Sequence, residues 1–199
     1  MDSGFDQRYT DYQSERSALR KQVRRLYLRS AAGQLRGPVL DFGCGVGELL
    51  EKLPAGSLGL EYNLATVAHC QRKGLDVEAY DGFADDWSLS LLPPARRFDS
   101  MVISHVLEHL EEPARILGKL LQAAVRVGVR RVLVIVPGRA GFRIDDTHRT
   151  FVDRALLEEA GIVQDTGFAV HRSRYFPGDL RAIGDWFPHH ELQVLYTRD

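Results

Sequence analysis

Val39-Leu40-Asp41-Phe42-Gly43-Cys44-Gly45-Val46-Gly47-Glu48-Leu49-Leu50 joins a short apolar run to a turn carrying three alternating glycines and then to a second apolar stretch. The opening residues read as a buried strand and the closing ones as the start of a helix. Gly43, Gly45 and Gly47 allow the backbone to turn sharply and approach a ligand where a side chain would collide, and N–H groups at a helix start point at that ligand. Twenty residues beyond Asp41, the next apolar run, Leu58-Gly59-Leu60-Glu61-Tyr62, ends in an acid. An acid there can accept hydrogen bonds from both hydroxyls of a ribose, so the pair of segments reads as a nucleoside cradle.

The glycine spacing discriminates between nucleoside cofactors. A nicotinamide dinucleotide site expects G-x-G-x-x-G, and the place of its third glycine is taken here by Glu48, a carboxylate beside the seat of a pyrophosphate. D-x-G-x-G-x-G followed by a downstream acid resembles instead the first motif of the class I S-adenosylmethionine-dependent methyltransferases. Three later segments are similar to that family in order: Val77-Glu78-Ala79-Tyr80-Asp81-Gly82-Phe83, then Phe98-Asp99-Ser100-Met101-Val102-Ile103-Ser104-His105-Val106-Leu107-Glu108-His109-Leu110, then Arg131-Val132-Leu133-Val134-Ile135-Val136-Pro137-Gly138. His148-Arg149-Thr150-Phe151, ahead of Leu156-Leu157-Glu158-Glu159-Ala160-Gly161, resembles the small-molecule, type-11 branch that includes ubiquinone-pathway enzymes. The likeness spans residues 37 to 161.

The resemblance implies S-adenosylmethionine as methyl donor, S-adenosylhomocysteine as product and a small-molecule acceptor methylated at oxygen or nitrogen. It implies that Gly43 and Gly45 admit the methionyl backbone, that Glu61 holds the ribose, that Asp81 and Phe83 recognise adenine, and that Asp41, Tyr62 and Gly82 are further contacts to the donor. Ser104 adds a contact from the fourth strand. His105 and His148 are the candidates for a general base. N-terminal segments in the family often cover the substrate, so Tyr9 and Tyr12 are expected to line the acceptor pocket. Arg139, Arg143, Arg149, Arg172 and Arg174 fall in segments expected to rim it, with Arg143 the named contact to an anionic acceptor. A catalytically silent binding protein for the donor, or a nicotinamide-dependent oxidoreductase, is the alternative.

Apolar runs at Pro38 to Phe42, Leu58 to Tyr62, Asp76 to Tyr80, Ser100 to Ser104 and Arg131 to Val136 alternate with helical patterns. Such alternation predicts a parallel sheet covered on both faces, since parallel neighbours need long crossovers. Asn63 is placed to cap a helix from Leu64 to Lys73, and Pro113 to open one carrying Ile116, Leu117, Leu120 and Leu121. Beyond Gly161, extended runs from Val163 to Tyr175 and from Glu191 to Thr197 flank a short helical piece, Gly178 to Trp186. The resemblance implies that they form an antiparallel hairpin completing a seven-stranded, Rossmann-like α/β sheet of order 3-2-1-4-5-7-6. The whole of 1–199 then forms one domain. Residues 1–36 form its helical cap or lid, with a helix from Ser14 to Leu35 whose apolar stripe is Leu19, Val23, Leu26 and Tyr27, and with basic side chains around it.

Composition narrows the partners. The chain has 199 residues, 44% of them hydrophobic, and 26 basic against 27 acidic side chains. That balance supplies no global positive field for a nucleic acid. No apolar run approaches the roughly 20 residues that span a bilayer, and the start lacks the basic and apolar regions of a secretion signal. A cytoplasmic location is expected, with Cys44 and Cys70 as free thiols. His105, Glu108, His109 and His148 offer nitrogen and oxygen ligands, but their spacing is not that of a recognised closed metal site, and no metal is expected.

Overall fold

The computed structural model describes residues 18–93 and 95–199. Tyr9 and Tyr12, and with them the covering role assigned to the N-terminal segment, lie outside the described residues. Seven strands form one sheet: β1 (Val39–Phe42), β2 (Leu58–Glu61), β3 (Val77–Ala79), β4 (Ser100–Ser104), β5 (Arg131–Pro137), β6 (Ala169–Phe176) and β7 (Glu191–Thr197). Their order is β3-β2-β1-β4-β5-β7-β6, the expected one. The first five strands run parallel, while β7 lies antiparallel between β5 and β6.

Alternation along each strand sorts side chains between two cores. Leu40, Phe42, Met101, Ile103, Val132, Val134 and Tyr196 face one, against Leu117, Leu120 and Leu121 of the helix Pro113–Arg126. Val39, Val102, Leu133, Ile135 and Leu195 face the other, against Tyr27, Leu28 and Ala31 of the helix Ala18–Ala32. That first helix is thus a layer of the fold over its last turns. Its buried stripe is centred on Tyr27, Leu28 and Ala31, so Leu26, expected in the stripe, sits on the flank and is exposed.

Three arginines expected at the acceptor rim bind elsewhere. Arg172 donates to Gln34 Oε1 (2.7 Å), and Arg174 donates to Ser30 Oγ (2.9 Å) and Gln193 Oε1 (3.3 Å), which fastens the first helix to the hairpin. Arg139 pairs with Asp185 at 3.4 Å and covers the Phe151 ring.

Two local expectations are corrected. The stretch after the glycine turn makes turns and a single 3-10 turn, Leu50–Lys52, where an α-helix was expected. Only six residues separate Gly47 from Pro54, too few to repay helix nucleation before proline ends the run. The extended run expected from Val163 begins only at Ala169, because Ala160–Val163 closes a 3-10 turn and Asp165 and Gly167 take positive φ.

Asn63 caps the helix Leu64–Arg72 as its position predicts, accepting from Ala65 N (2.9 Å) and Thr66 N (3.1 Å) through Oδ1. Replacing Asn63 by Ala should cost about 1 kcal/mol of folding stability. Urea unfolding of the two proteins measures it.

Candidate functional site

Parallel strands of an open sheet bring their carboxyl ends to one edge, where adjoining loops leave a crevice. Here a cleft of about 1240 Å³ runs along that edge, lined at one end by Asp41, Gly43, Gly45, Glu61 and Tyr62 and at the other by His105, His148 and Glu191. Gly82, Phe83 and Ser104 also line it, so eight of the nine residues assigned to the cofactor meet in one cavity. Asp81 is the ninth. It is exposed, and its Oδ1 accepts the N–H of Phe83 (2.9 Å) and Ala84 (3.2 Å), so that this oxygen shapes the turn presenting Phe83.

The glycine turn is held from three sides. Gly43 N and Cys44 N donate to Leu60 O at 2.8 and 3.1 Å, and Cys70 Sγ donates to Gly45 O at 3.2 Å. Glu61 reaches back from the end of β2 to accept Gly45 N through Oε2 (2.9 Å), and its Oε1 accepts Asn63 N (2.9 Å). Gly43 has φ +71°, and a Cβ there would stand 2.4 Å from Val106 Cγ2. Beyond β3, Gly82 lies under the Trp87 ring, where a Cβ would come within 2.5 Å, and Phe83 meets that ring edge-on at 5.0 Å. Phe83 and Tyr62 keep 72% and 58% of their surface exposed at the cleft, two aromatic faces available to a flat ligand.

Buried acids set the electrostatics of this end. Asp41 is buried, and its Oδ2 has no hydrogen-bond partner among the described residues. Burial, and after it the charge of Glu61, push the Asp41 carboxyl up to about 7. Burial also raises Glu61, against the backbone N–H bonds from Asn63, Gly45 and Tyr62 that favour its charged form. Two acids disfavoured as anions make a seat that gains by receiving a cation.

At the other end His105 occupies a left-handed conformation, φ +56°, anchored by its N–H to Ile135 O (2.9 Å). Its Nδ1 bonds Glu108 Oε1 at 3.1 Å and its Nε2 bonds Glu191 Oε1 at 3.0 Å. Burial works against the charged ring, yet the two carboxylates outweigh it and raise its pKa to about 10. His105 therefore donates through both nitrogens at neutral pH and has no lone pair with which to take a proton. The arrangement does not fit the general-base role expected of it. His148 differs: Nδ1 donates to Phe142 O (2.9 Å), while Nε2 lies 3.9 Å from Glu108 Oε1 and 3.8 Å from Asp145 Oδ2.

Ligand atoms of Glu108, His109 and His148 converge within 4.8 Å, the one such group among the described residues. They could hold an ion geometrically. Glu108 Oε1 accepts from His105, His148 bonds Phe142 O and His109 bonds Thr147 O (3.3 Å), while Glu108 Oε2 has no hydrogen-bond partner among the described residues. Arg143 is exposed and outside the cleft lining, while Arg149 lines the cleft and pairs with Glu111 at 2.8 Å.

Glu191, Trp87 and Tyr27 were missed as site residues. Tyr27 was read only as packing, yet its hydroxyl bonds Ser104 Oγ at 2.7 Å and its ring meets His105 edge-on at 6.2 Å. Its helical stripe was the available signal. No local signal marks Glu191, whose place follows from strand pairing alone.

The raised Asp41 pKa has a thermodynamic sign. Unfolded Asp41 ionises near 3.8 and folded Asp41 near 7, so the ligand-free protein should lose stability as pH rises through that window. Urea unfolding from pH 4 to 8 should show this fall, and Asp41→Asn should flatten it by about one proton's slope.

The family model of the methyltransferase domain matches residues 12–173. No curated protein matches the chain. Among solved structures, a SAM-dependent methyltransferase from Archaeoglobus fulgidus aligns over 89% of this chain and 94% of its own, with TM-score 0.67 and 22% identity. A magnesium protoporphyrin IX methyltransferase from Synechocystis, solved with bound SAH, aligns over 100% and 95%, with TM-score 0.63 and 18% identity. The cyclase SpnF aligns over 86% and 80%, with TM-score 0.56 and 16% identity. By the match across most of its length, on a sheet of this order, the chain belongs to the methyltransferase domain family.

Proposed function

We propose that this protein transfers a methyl group from S-adenosylmethionine to a small-molecule acceptor at nitrogen or oxygen. The observation carrying the proposal is the buried, unpartnered Oδ2 of Asp41 beside Glu61, at the foot of a turn that tolerates no Cβ at Gly43. This is a seat for a cationic amino-acid nucleoside, and a donor of that kind fits it. Gly43 and Gly45 admit its backbone atoms, Glu61 faces its ribose, and Phe83 and Tyr62 cover its base. When bound, the donor supplies a methyl group on a positively charged sulfur, already a good leaving group.

The protein's task is then alignment and exclusion of water. Tyr27 and the strand tips wall the acceptor side. His148 is the base in this reading, since it lines the cleft and its Nδ1 is fixed as a donor by Phe142 O. His105, held as an imidazolium between two carboxylates, positions that wall. The near-neutral charge balance and the acidic side chains along the cleft support a small molecule over a nucleic acid as acceptor.

A second reading has its own support. SpnF shares the fold and is a cyclase, so the fold alone does not specify methyl transfer. In a silent binding protein the same seat would hold the donor without turnover. Glu48 lines the cleft beside the turn, which disfavours the pyrophosphate of a nicotinamide cofactor.

Calorimetry should give binding of S-adenosylmethionine and S-adenosylhomocysteine and none of NADH. Label from the methyl-labelled donor should then appear in a member of a metabolite panel. Binding without label transfer would favour the silent protein, and absence of binding would remove both readings. Gly43→Ala should weaken donor binding by at least about tenfold, because the new Cβ meets Val106 and strains a left-handed residue.

A further inference from the structure

We infer that the acceptor is an amine, recognised in its cationic form by Glu191. The inference rests on the methyl-transfer reading above and names the substrate class of the same site. The donor seat takes the tips of β1, β2 and β3 with Ser104 of β4, which leaves His105 and the tips of β5 and β7 for the acceptor. Register sets Glu191, the first residue of β7, opposite Pro137, the last residue of β5, so its carboxylate stands at that edge. Glu191 lines the cleft, its Oε1 accepts from His105, and its buried Oε2 has no hydrogen-bond partner among the described residues. Beneath His105, Glu108 is fully buried, and its Oε2 likewise has no partner among the described residues.

The surrounding charges point the same way. Asp145 also lines this half of the cleft. The cations that line the cleft, Arg115, Lys119 and Arg149, are matched by Glu112, Asp86 and Glu111 of the same rim. They add no net positive field. His105 is one cation between two carboxylates. Among the described residues, an anionic acceptor would come to rest beside Glu191 and Asp145 with no surplus cation, whereas an ammonium group would find negative charge and a carboxylate with an unsatisfied oxygen. The anionic acceptor expected from the arginine count is replaced by its opposite.

The step balances. The ammonium, seated on Glu191, gives one proton to His148, the base of the reading above, which frees the nitrogen lone pair. That pair forms the N–C bond as the C–S bond breaks, and the C–S electrons remain on sulfur. Positive charge passes from sulfur to nitrogen, and the methylated product carries it away as an ammonium.

The test uses the full chain saturated with S-adenosylhomocysteine and a graded panel of aryl and alkyl amines, each matched with the carboxylate of the same skeleton. Ligand-observed NMR should report binding of amines and not of their carboxylates. Glu191→Gln should weaken amine binding about tenfold while S-adenosylhomocysteine affinity stays within about twofold. Asp145→Asn, on the exposed rim, should weaken it by a smaller factor, and gives a second measurement if Glu191→Gln fails to fold. Carboxylates bound as well as amines, no amine bound, or amine binding indifferent to the charge changes would each overturn the inference. Loss of S-adenosylhomocysteine binding in the unaltered protein would instead overturn the methyl-transfer reading beneath it.

Discussion

Glu61 is the member on which the rest of the site depends. One oxygen accepts from Gly45 in the glycine turn and the other from Asn63, the residue that caps the following helix. A single carboxylate thus fixes the loop after β1 to the loop after β2, and so defines the distance across the donor seat. Charge-assisted bonds to backbone N–H groups are stronger than neutral ones, and here they hold a turn with three positive-φ glycines that would otherwise sample many shapes. Because the carboxylate is partly shielded from water, the same bonds are needed to keep it charged.

Asp41 has no such support. It sits inside the sheet with one oxygen unpartnered and with Glu61 as an electrostatic neighbour, an arrangement that makes the ligand-free state less favourable. A cation entering the seat relieves both acids together, so the energy held in the ligand-free site returns as affinity. Fold and binding meet at this residue: β1 must carry it into the sheet to bring it to the cleft.

How much of this could be read beforehand depended on how local each signal was. Strand alternation, the glycine spacing, Glu61 and the Asn63 cap are written in stretches of a dozen residues, and all of them appear where the sequence put them. The helix after Gly47 failed because Pro54 cut short a pattern that looks helical at its start. The arginines misled for a different reason. Proximity in sequence placed them near the rim, but Arg172 and Arg174 lie on β6, where the strand carries them toward the first helix and its glutamine and serine acceptors. His105 was found, yet its protonation depends on Glu191, 86 residues away, and no short-range pattern reports that.

The antiparallel insertion of β7 is what makes that partnership possible. In a sheet of parallel strands each contributes its last residues to the ligand edge, so a parallel β7 would present Thr197 there. Reversal sets Thr197 level with Arg131 at the opposite edge and brings Glu191 level with Pro137. The acid then faces the end of β4, where His105 has left the extended conformation at φ +56°. Left-handed backbone is costly for a residue with a Cβ and persists when its surroundings over-determine it. Here they do, through Ile135, Glu108 and Glu191. Strand direction, a local turn and a buried ion pair therefore meet at one place, and removing the carboxylate of Glu191 would break the pair and loosen the turn at this end of the cleft.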